Sequence, residues 1–552
     1  MHRMTDNKDL EAEIHPLKNE GRKSQENLKN QLKNDDHLKS KPVQSRLSRC
    51  RAVAFFLSLF ICLFVVFVVS FLIPCPDQPA TWRIDYNAAV LYDFLTMEDI
   101  NRDKIQDVLF LYKNTNSSNN FTRSCADEGF STPCAFVAAV SGANGRMLWE
   151  KPVAQDVVLV ECTVLQSSDN EASSTCIFVG RLGSLVAIDL FTGDILWSHP
   201  SNLSENTSVL SPLLQVPDVD GDGTPDLLLL TEEGKKVSGD IYSRNTGHQI
   251  GHRGALGVDG DHSALLHITW TGAHYILLPC VNSLCGCSVK GLYEKLTGRD
   301  GPFKNDPLWE NMLNASTHRR LLPSSGEVRY LMNIRGKAGQ DVLLVNSEAC
   351  VLLDGQELTP RWTLSSAQVL RKPILGHYKP DTLAVVIENG TSIDRQMLFL
   401  DLSTGTVLWS QALPSFPGVP PSASLPTTDH RSAFFFWGLH ELIGTSVMEP
   451  RDTRHSLYMF HPTLPSILLE LANVSTNIVA FDVVLFEPNR HAAYVLLTGP
   501  ASSDEPGLVS VTKHKVRDLV PSSRVVRLGK GGSDSDQTIK DHFSRLRYQS
   551  VA

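Results

Sequence analysis

The stretch AIDLFTGDILWS (187–198) holds two apolar runs around a Thr-Gly pair, with a tryptophan four residues after the glycine. Glycine takes the positive φ that a tight hairpin turn demands, so Thr-Gly or Asn-Gly between apolar runs predicts two antiparallel strands. The same phrase returns as AVSGANGRMLWE (139–150) and FLDLSTGTVLWS (399–410). Weaker copies surround Gly247, Gly298 and Gly355. Successive turn glycines, from Gly145 to Gly405, lie 48, 54, 51, 57 and 50 residues apart. Segments near His461 and Lys513 extend the series.

A second phrase precedes each hairpin: a polar residue, then three to five apolar ones. It reads QDVLFLY (106–112), TCIFVG (175–180), PDLLLLT (225–231), HYILLP (274–279), QDVLLVN (340–346), DTLAVVI (381–387), SAFFFWG (432–438) and AYVLLTG (493–499). Eight units with a period near 50 match four-stranded propeller blades. The expected fold is all-β: a seven- or eight-bladed β-propeller over residues 82–521, with each tryptophan packed between neighbouring blades. No helical periodicity stands out between 82 and 520. Because one blade cannot bury both faces alone, the ring must close. Residues 522–552 read as a flexible tail with a short helix at 537–548.

The N-terminal part has a different composition. Residues 52–73 form a 22-residue run without charge, long enough to span a hydrocarbon core of about 30 Å as a helix. The flanking segment 39–51 carries five basic and no acidic side chains. Positive-inside bias therefore places the N-terminus in the cytoplasm and makes residues 52–73 a signal anchor, type II. Residues 1–51 are polar and lysine-rich and read as a disordered cytoplasmic segment; residues 74–81 are a short stalk. The N-x-Ser/Thr pattern occurs at Asn116, Asn120, Asn202, Asn206, Asn314, Asn389 and Asn473, all after the span. Nine of the 11 cysteines also follow it, which suits an oxidising compartment. Cys125/Cys134 and Cys162/Cys176 are the closest pairs in sequence, and Cys280, Cys285 and Cys287 cluster. Nine is odd, so at least one thiol is free or intermolecular. Cys75 could bridge two protomers, join Cys350 or stay unpaired. The expected location is the plasma membrane or secretory pathway, with the propeller extracellular or lumenal. A net charge of −9 gives no basic footprint for nucleic acid.

The segment VPDVDGDGTPDLLLL (216–230) precedes the first apolar strand of the third unit. Asp218, Asp220, Asp222 and Asp226 fall at positions 1, 3, 5 and 9 of a calcium loop. Thr224 would offer its backbone carbonyl, and Gly223 makes the turn. Leu229 stands where an EF-hand has its bidentate glutamate, so a β-loop calcium site is expected, with calcium in a structural role. Asp99, Asn101, Asp103 and Asp107 form a weaker copy in which Lys104 replaces the turn glycine. In a third copy only Asp341 remains, and no metal is expected there.

These loops resemble the FG-GAP repeats of integrin α-subunit propellers, and the tryptophan phrases look like blades of quinoprotein-type propellers. Basic N-terminus, single anchor and propeller together are similar to the integrin-alpha FG-GAP repeat-containing membrane proteins, the family with sequence similarity 234. The resemblance implies a membrane protein of poorly defined biochemical role. The expected function is non-enzymatic: a glycoprotein whose propeller binds a protein or glycan partner. A quinoprotein-like enzyme is an alternative. Related enzymes stack their quinone on a disulfide between adjacent cysteines, whereas Gly286 separates Cys285 from Cys287 here. Neither G-x-S-x-G nor H-E-x-x-H occurs. A secretory-pathway folding or trafficking factor is the other alternative.

Overall fold

Trp197 does not pack on the glycine of its own hairpin. In the computed structural model its indole lies against Gly247, the turn glycine of the next sheet. A Cβ there would come 2.3 Å from Trp197 Cε3. Trp82 meets Gly145, Trp149 meets Gly193 and Trp362 meets Gly405 in the same way. Each glycine has positive φ, between 69° and 76°. Each indole N–H also donates to a backbone carbonyl of the following sheet: Trp149 to Leu190 at 2.9 Å, Trp197 to Arg244 at 2.8 Å, Trp362 to Leu402 at 2.7 Å and Trp409 to Pro465 at 2.8 Å. The repeat therefore encodes both a hairpin and the seat of its neighbour.

The structure describes residues 46–72 and, between 81 and 550, all but 115–123, 167–171, 182, 201–202, 205, 260–262, 316–318, 337–338, 366–367, 392–393, 416–417, 440–453, 487–489, 501–504 and 530–533. Two units separate, Met1–Pro76 and Asp77–Ala552. In the first, a helix runs Arg46–Leu72. Its side chains are described at residue 51 and at 53–68. Among the described residues, no helix is long and apolar enough to cross a membrane. The disordered reading covered residues 1–51, but residues 46–51 begin the helix Arg46–Leu72; residues 1–45, most of the stalk and Cys75 lie outside the described residues.

The second unit is all-β and propeller-like, built from antiparallel sheets of four strands or more. The eight polar-then-apolar phrases all become the second strand of their set, and these strands are largely buried. Leu227, Leu228, Leu229 and Leu230 are all 0% exposed. Apolar residues on both faces of a strand are the mark of a sheet covered on each side.

Ring closure falls to the first strand, Trp82–Glu98. Its first half pairs with the C-terminal strand Gly507–Lys515, from Trp82↔Lys513 to Ala89↔Gly507. Its second half pairs with Asp107–Asn114, from Val90↔Lys113 to Glu98↔Asp107. A break in register near Ala88, at φ 52°, lets one chain serve both sets. The ends of the propeller are thus held by backbone hydrogen bonds.

Four expectations are corrected. Gly298 is no hairpin glycine; it caps the helix Val289–Thr297 in the left-handed conformation. A second helix, Pro307–Ala315, follows, so helices do interrupt the strand pattern. Both have nine residues, too few for a lasting 3.6-residue period. From the second helix Trp309 donates its indole N–H to Gln356 O at 3.0 Å, replacing the strand tryptophan of other units. Third, the positive-φ turn residue of the fifth unit is Leu358, at 56°, rather than Gly355. Gly355 is needed for space, since a Cβ would meet Gln340 O at 1.6 Å. Fourth, the C-terminal tail is packed. Arg524–Arg527 pairs with Ile467–Val474 as a fifth strand, and the helix Asp536–Ser544 buries Ile539 and Phe543. The expected helix started at the right place; its apolar residues, four apart, sit on one face. Tyr548 is 3% exposed and bridges to Thr427.

His461 links this tail to the ring. It is fully buried. Its Nδ1 meets Thr463 Oγ1 at 2.7 Å, and that hydroxyl meets His542 Nε2 at 2.9 Å. Burial lowers its pKa to about 4, reinforced by His542 and Arg431 and opposed by Asp429. The imidazole is therefore neutral at pH 7, while the unfolded chain binds its proton near pH 6.5. Stability from this site is full above that value and is lost as pH falls from about 6.5 to about 4, at most about 3 kcal/mol. Urea unfolding of the propeller between pH 7.5 and 4.5 should show this slope, and His461→Gln should remove part of it. An unchanged slope in the variant would assign the acid sensitivity to other histidines.

For the docking contact, Gly247→Val forces a β-branched residue to positive φ against Trp197 and should cost about 3 kcal/mol or more. Trp197→Phe loses the bond to Arg244 O and should cost about 1–3 kcal/mol. Equal urea midpoints for Gly247→Val and the parent would contradict the docking role.

Candidate metal centre

The loop 218–226 connects the strands Leu214–Val216 and Asp226–Glu233. Gly221 and Gly223 sit at φ 84° and 90°, curling the backbone so that its amides face its own carboxylates. Asp218 accepts from Gly221 N at 2.6 Å and Gly223 N at 2.8 Å. Asp220 accepts from Asp222 N at 3.1 Å. Asp222 accepts from Thr224 through its N–H at 2.9 Å and its hydroxyl at 2.6 Å. The result brings oxygens of Asp218, Asp220 and Asp222 within 4.8 Å of one another.

Asp226 lies outside that trio and points inward, fully buried, accepting from Val219 N at 2.8 Å on Oδ2. Its Oδ1 is buried without a hydrogen-bond partner; the Arg244 N–H faces it outside bonding geometry. Burial pushes its carboxyl up to about 6, opposed by the Val219 N–H and aided by Asp220 and Asp222. Thr224 is placed by Asp222, to which its hydroxyl donates.

The hairpin of the same sheet supplies groups that loop spacing alone does not reveal. Asn245 Nδ2 donates to Asp222 Oδ2 at 2.9 Å, and Ser243 Oγ lies 3.4 Å from the same oxygen. Burial would raise the Asp222 pKa, but the Thr224, Asn245 and Ser243 donors outweigh it and hold the carboxyl below its usual value. The only hint in sequence is that SRNTG (243–247) matches the SGANG (141–145) hairpin beside the weaker loop.

That weaker loop has the same backbone. Arg102 and Lys104 take φ of 61° and 65°, where the other loop has glycines. Lys104 N and Asp103 N donate to Asp99, both at 2.9 Å, and Ile100 N donates to Asp107 at 3.0 Å. Its charges are answered differently. Asn101 donates its amide to Asp103 at 3.0 Å. The buried Lys513 ammonium donates to Gln106 O at 3.1 Å and Gly142 O at 3.0 Å. Burial lowers the Lys513 pKa to about 8, against the attraction of Asp107 and Asp103. Asp107 Oδ1 is used by Gly142 N at 2.8 Å. Among the described residues, Asp99, Asp103 and Asp107 do not form a group like Asp218/Asp220/Asp222. Asp341, the third-copy aspartate, pairs with Arg361 at 3.0 Å.

Disulfides join Cys125–Cys134, Cys162–Cys176 and Cys280–Cys285. Cys287 is a correction: its thiol is free and buried, and accepts from Arg319 at 3.0 Å. Cys350 is also free and buried. Of the sequons, Asn206, Asn314 and Asn473 are exposed and Asn389 is half-buried; Asn116, Asn120 and Asn202 lie outside the described residues.

A family model described as FAM234A/B beta-propeller matches residues 82–549. The chain is 75% identical over 553 residues to Protein FAM234A of Mus musculus, covering 99% of this chain and 100% of that one. It is 28% identical over 501 residues to Protein FAM234B of Gallus gallus, covering 86% and 79%. Among solved structures, quinohemoprotein alcohol dehydrogenase from Comamonas testosteroni is similar with a TM-score of 0.44 and 10% identity, over 83% of this chain and 78% of that one. With a family model across the whole β unit and a full-length relative at 75% identity, the chain belongs to the FAM234A/B β-propeller family.

Proposed function

We propose that this chain is a non-enzymatic, single-pass type II membrane glycoprotein that presents a calcium-stabilised propeller to a protein or glycan partner, at the plasma membrane or in the secretory pathway. Counting the seven-stranded sheet as two sets that share the first strand, its sets with the other six sheets make eight blades. The uncharged run 52–73, 22 residues long in sequence, supports the anchor. Sequons on one side of that run support glycosylation and lumenal exposure of the propeller. The pairing of Cys285 with Cys280 weighs against the quinoprotein alternative, whose quinone would need a disulfide between neighbouring cysteines.

The observation that carries the calcium reading is the gathered trio beside a buried, unpartnered Asp226 oxygen. Oxygen-only donors at this density suit a hard divalent cation. Asp218, Asp220 and Asp222 would hold it, with the Thr224 carbonyl and Asp226 completing the set. Calcium would neutralise the mutual repulsion and stiffen the loop. Ser243 and Asn245 pass that rigidity to the hairpin on which Trp197 docks.

At about 2 mM calcium and a Kd near 10⁻⁴ M, loading adds about 2 kcal/mol to the folded state. Urea unfolding of the purified ectodomain in calcium and in chelator should differ by about that amount, and Asp220→Asn should abolish most of the difference. Identical midpoints in both buffers would sink the calcium reading. For topology, the protein in microsomes should resist carbonate extraction, and residues 82–550 should be shielded from added protease and shift in mass with an N-glycosidase. Propeller cleavage in intact microsomes would reverse the orientation.

A further inference from the structure

Beyond the helix Arg46–Leu72, one aromatic side chain is exposed among the described residues: Trp270, at 52%. It sits at the tip of the hairpin between Leu265–Ile268 and His274–Cys280. The tip is held firmly. Trp270 N donates to Gln356 Oε1 at 3.0 Å, Gln356 Nε2 donates to Asp306 Oδ2 at 2.8 Å, and Thr271 Oγ1 donates to the same oxygen at 3.0 Å. Asp306 is 1% exposed and also receives Leu308 N at 3.0 Å. One buried carboxylate therefore fixes both Trp270 and Leu308, which is itself 43% exposed. The indole lies against Gly339, where a Cβ would come 2.6 Å from Trp270 Cδ1.

Two exposed cations lie near this hairpin tip. Lys304 Nζ reaches to 3.2 Å of where a Cβ on Gly272 would stand, two residues from Trp270. Arg335 shares a cavity of about 530 Å³ with Gly339, on which the indole rests. Neither cation pairs with a described carboxylate. A rigid exposed tryptophan loses little entropy on binding, and tryptophans dominate hot spots. Unpaired cations near it select negative charge and steer its approach. Leu308, exposed and tied to the same carboxylate, favours an apolar anchor over a sugar ring.

We propose that Trp270 and Leu308, with Lys304 and Arg335 nearby, form the docking site for a partner-protein segment that carries a large apolar side chain next to carboxylates. This rests on the reading of the propeller as a binding platform. The test uses the glycosylated ectodomain and a phage library of random 12-residue peptides, with an array of sialylated and sulfated glycans in parallel. Enriched peptides should combine a large apolar residue with neighbouring Asp or Glu. Trp270→Ala and the double variant K304E/R335E should each weaken them about tenfold or more. Peptides with Lys in place of the acids should bind K304E/R335E better than the parent. Trp270 is half-exposed, so its variant should keep the parent's urea midpoint; Leu308→Ser provides a second variant. Peptides that bind Trp270→Ala and Leu308→Ser as tightly as the parent would overturn the site but leave the platform standing. Anionic glycans that bind through Trp270, without peptides, would overturn the partner class. A parent ectodomain that binds neither would overturn the platform itself.

Discussion

The contact between a tryptophan on one sheet and the turn of the next is the constraint on which the propeller depends. It combines two demands at one point. The turn needs positive φ, which glycine supplies at Gly145, Gly193, Gly247 and Gly405. The indole needs a flat, side-chain-free surface and a carbonyl within reach of its N–H, and the same turns provide both. A substitution at such a glycine therefore strains the hairpin and unseats its neighbour together. Trp82 makes this contact from the first strand while pairing with Gly507–Lys515. Closure of the ring and docking of the first turn are thus the same event.

The acidic loops show how one backbone design can be given different electrostatics. Both carry an aspartate at the start of the second strand, Asp107 or Asp226, that is fully buried and accepts an N–H from the loop's second residue. In the first loop, Lys513 arrives from the strand Gly507–Lys515 and the other oxygen of Asp107 accepts from Gly142 N. That loop has a buried cation beside it, from a residue about 400 positions away. At 218–226 the corresponding oxygen faces only the Arg244 N–H, outside bonding geometry, and three carboxylates converge. A buried acceptor left poorly satisfied is costly. Lys104 tolerates φ of 65°, so the backbone strain expected of the missing glycine is accepted there rather than avoided.

Much of this was legible in the chain. The hairpin phrase, its period and the eight apolar strands follow from glycine's conformational freedom and from burial on both faces. The spacing of Asp218, Asp220 and Asp222 is local, and a local loop brings them together. Gly298 was misleading because positive φ serves helix caps as well as hairpins. Gly355 was misleading because a glycine needed for space looks the same in sequence as one needed for φ. The tail was misleading because its apolar residues are sparse: Ile539, Phe543 and Tyr548 find their partners only on the surface formed by distant strands.

The sequence by itself determined the elements: where most strands run, where most turns fall and which oxygens share a loop. Each of these is set by neighbours a few residues apart, through backbone sterics and side-chain period. Tertiary structure decided which tryptophan meets which turn, and that Trp309 on a helix stands in for a strand residue. It decided that Lys513 answers one acidic loop and that Asn245 and Ser243 support the other. It also left Trp270 as an exposed aromatic on a braced turn. Those outcomes depend on contacts across tens to hundreds of residues, and such contacts exist only after the ring has closed.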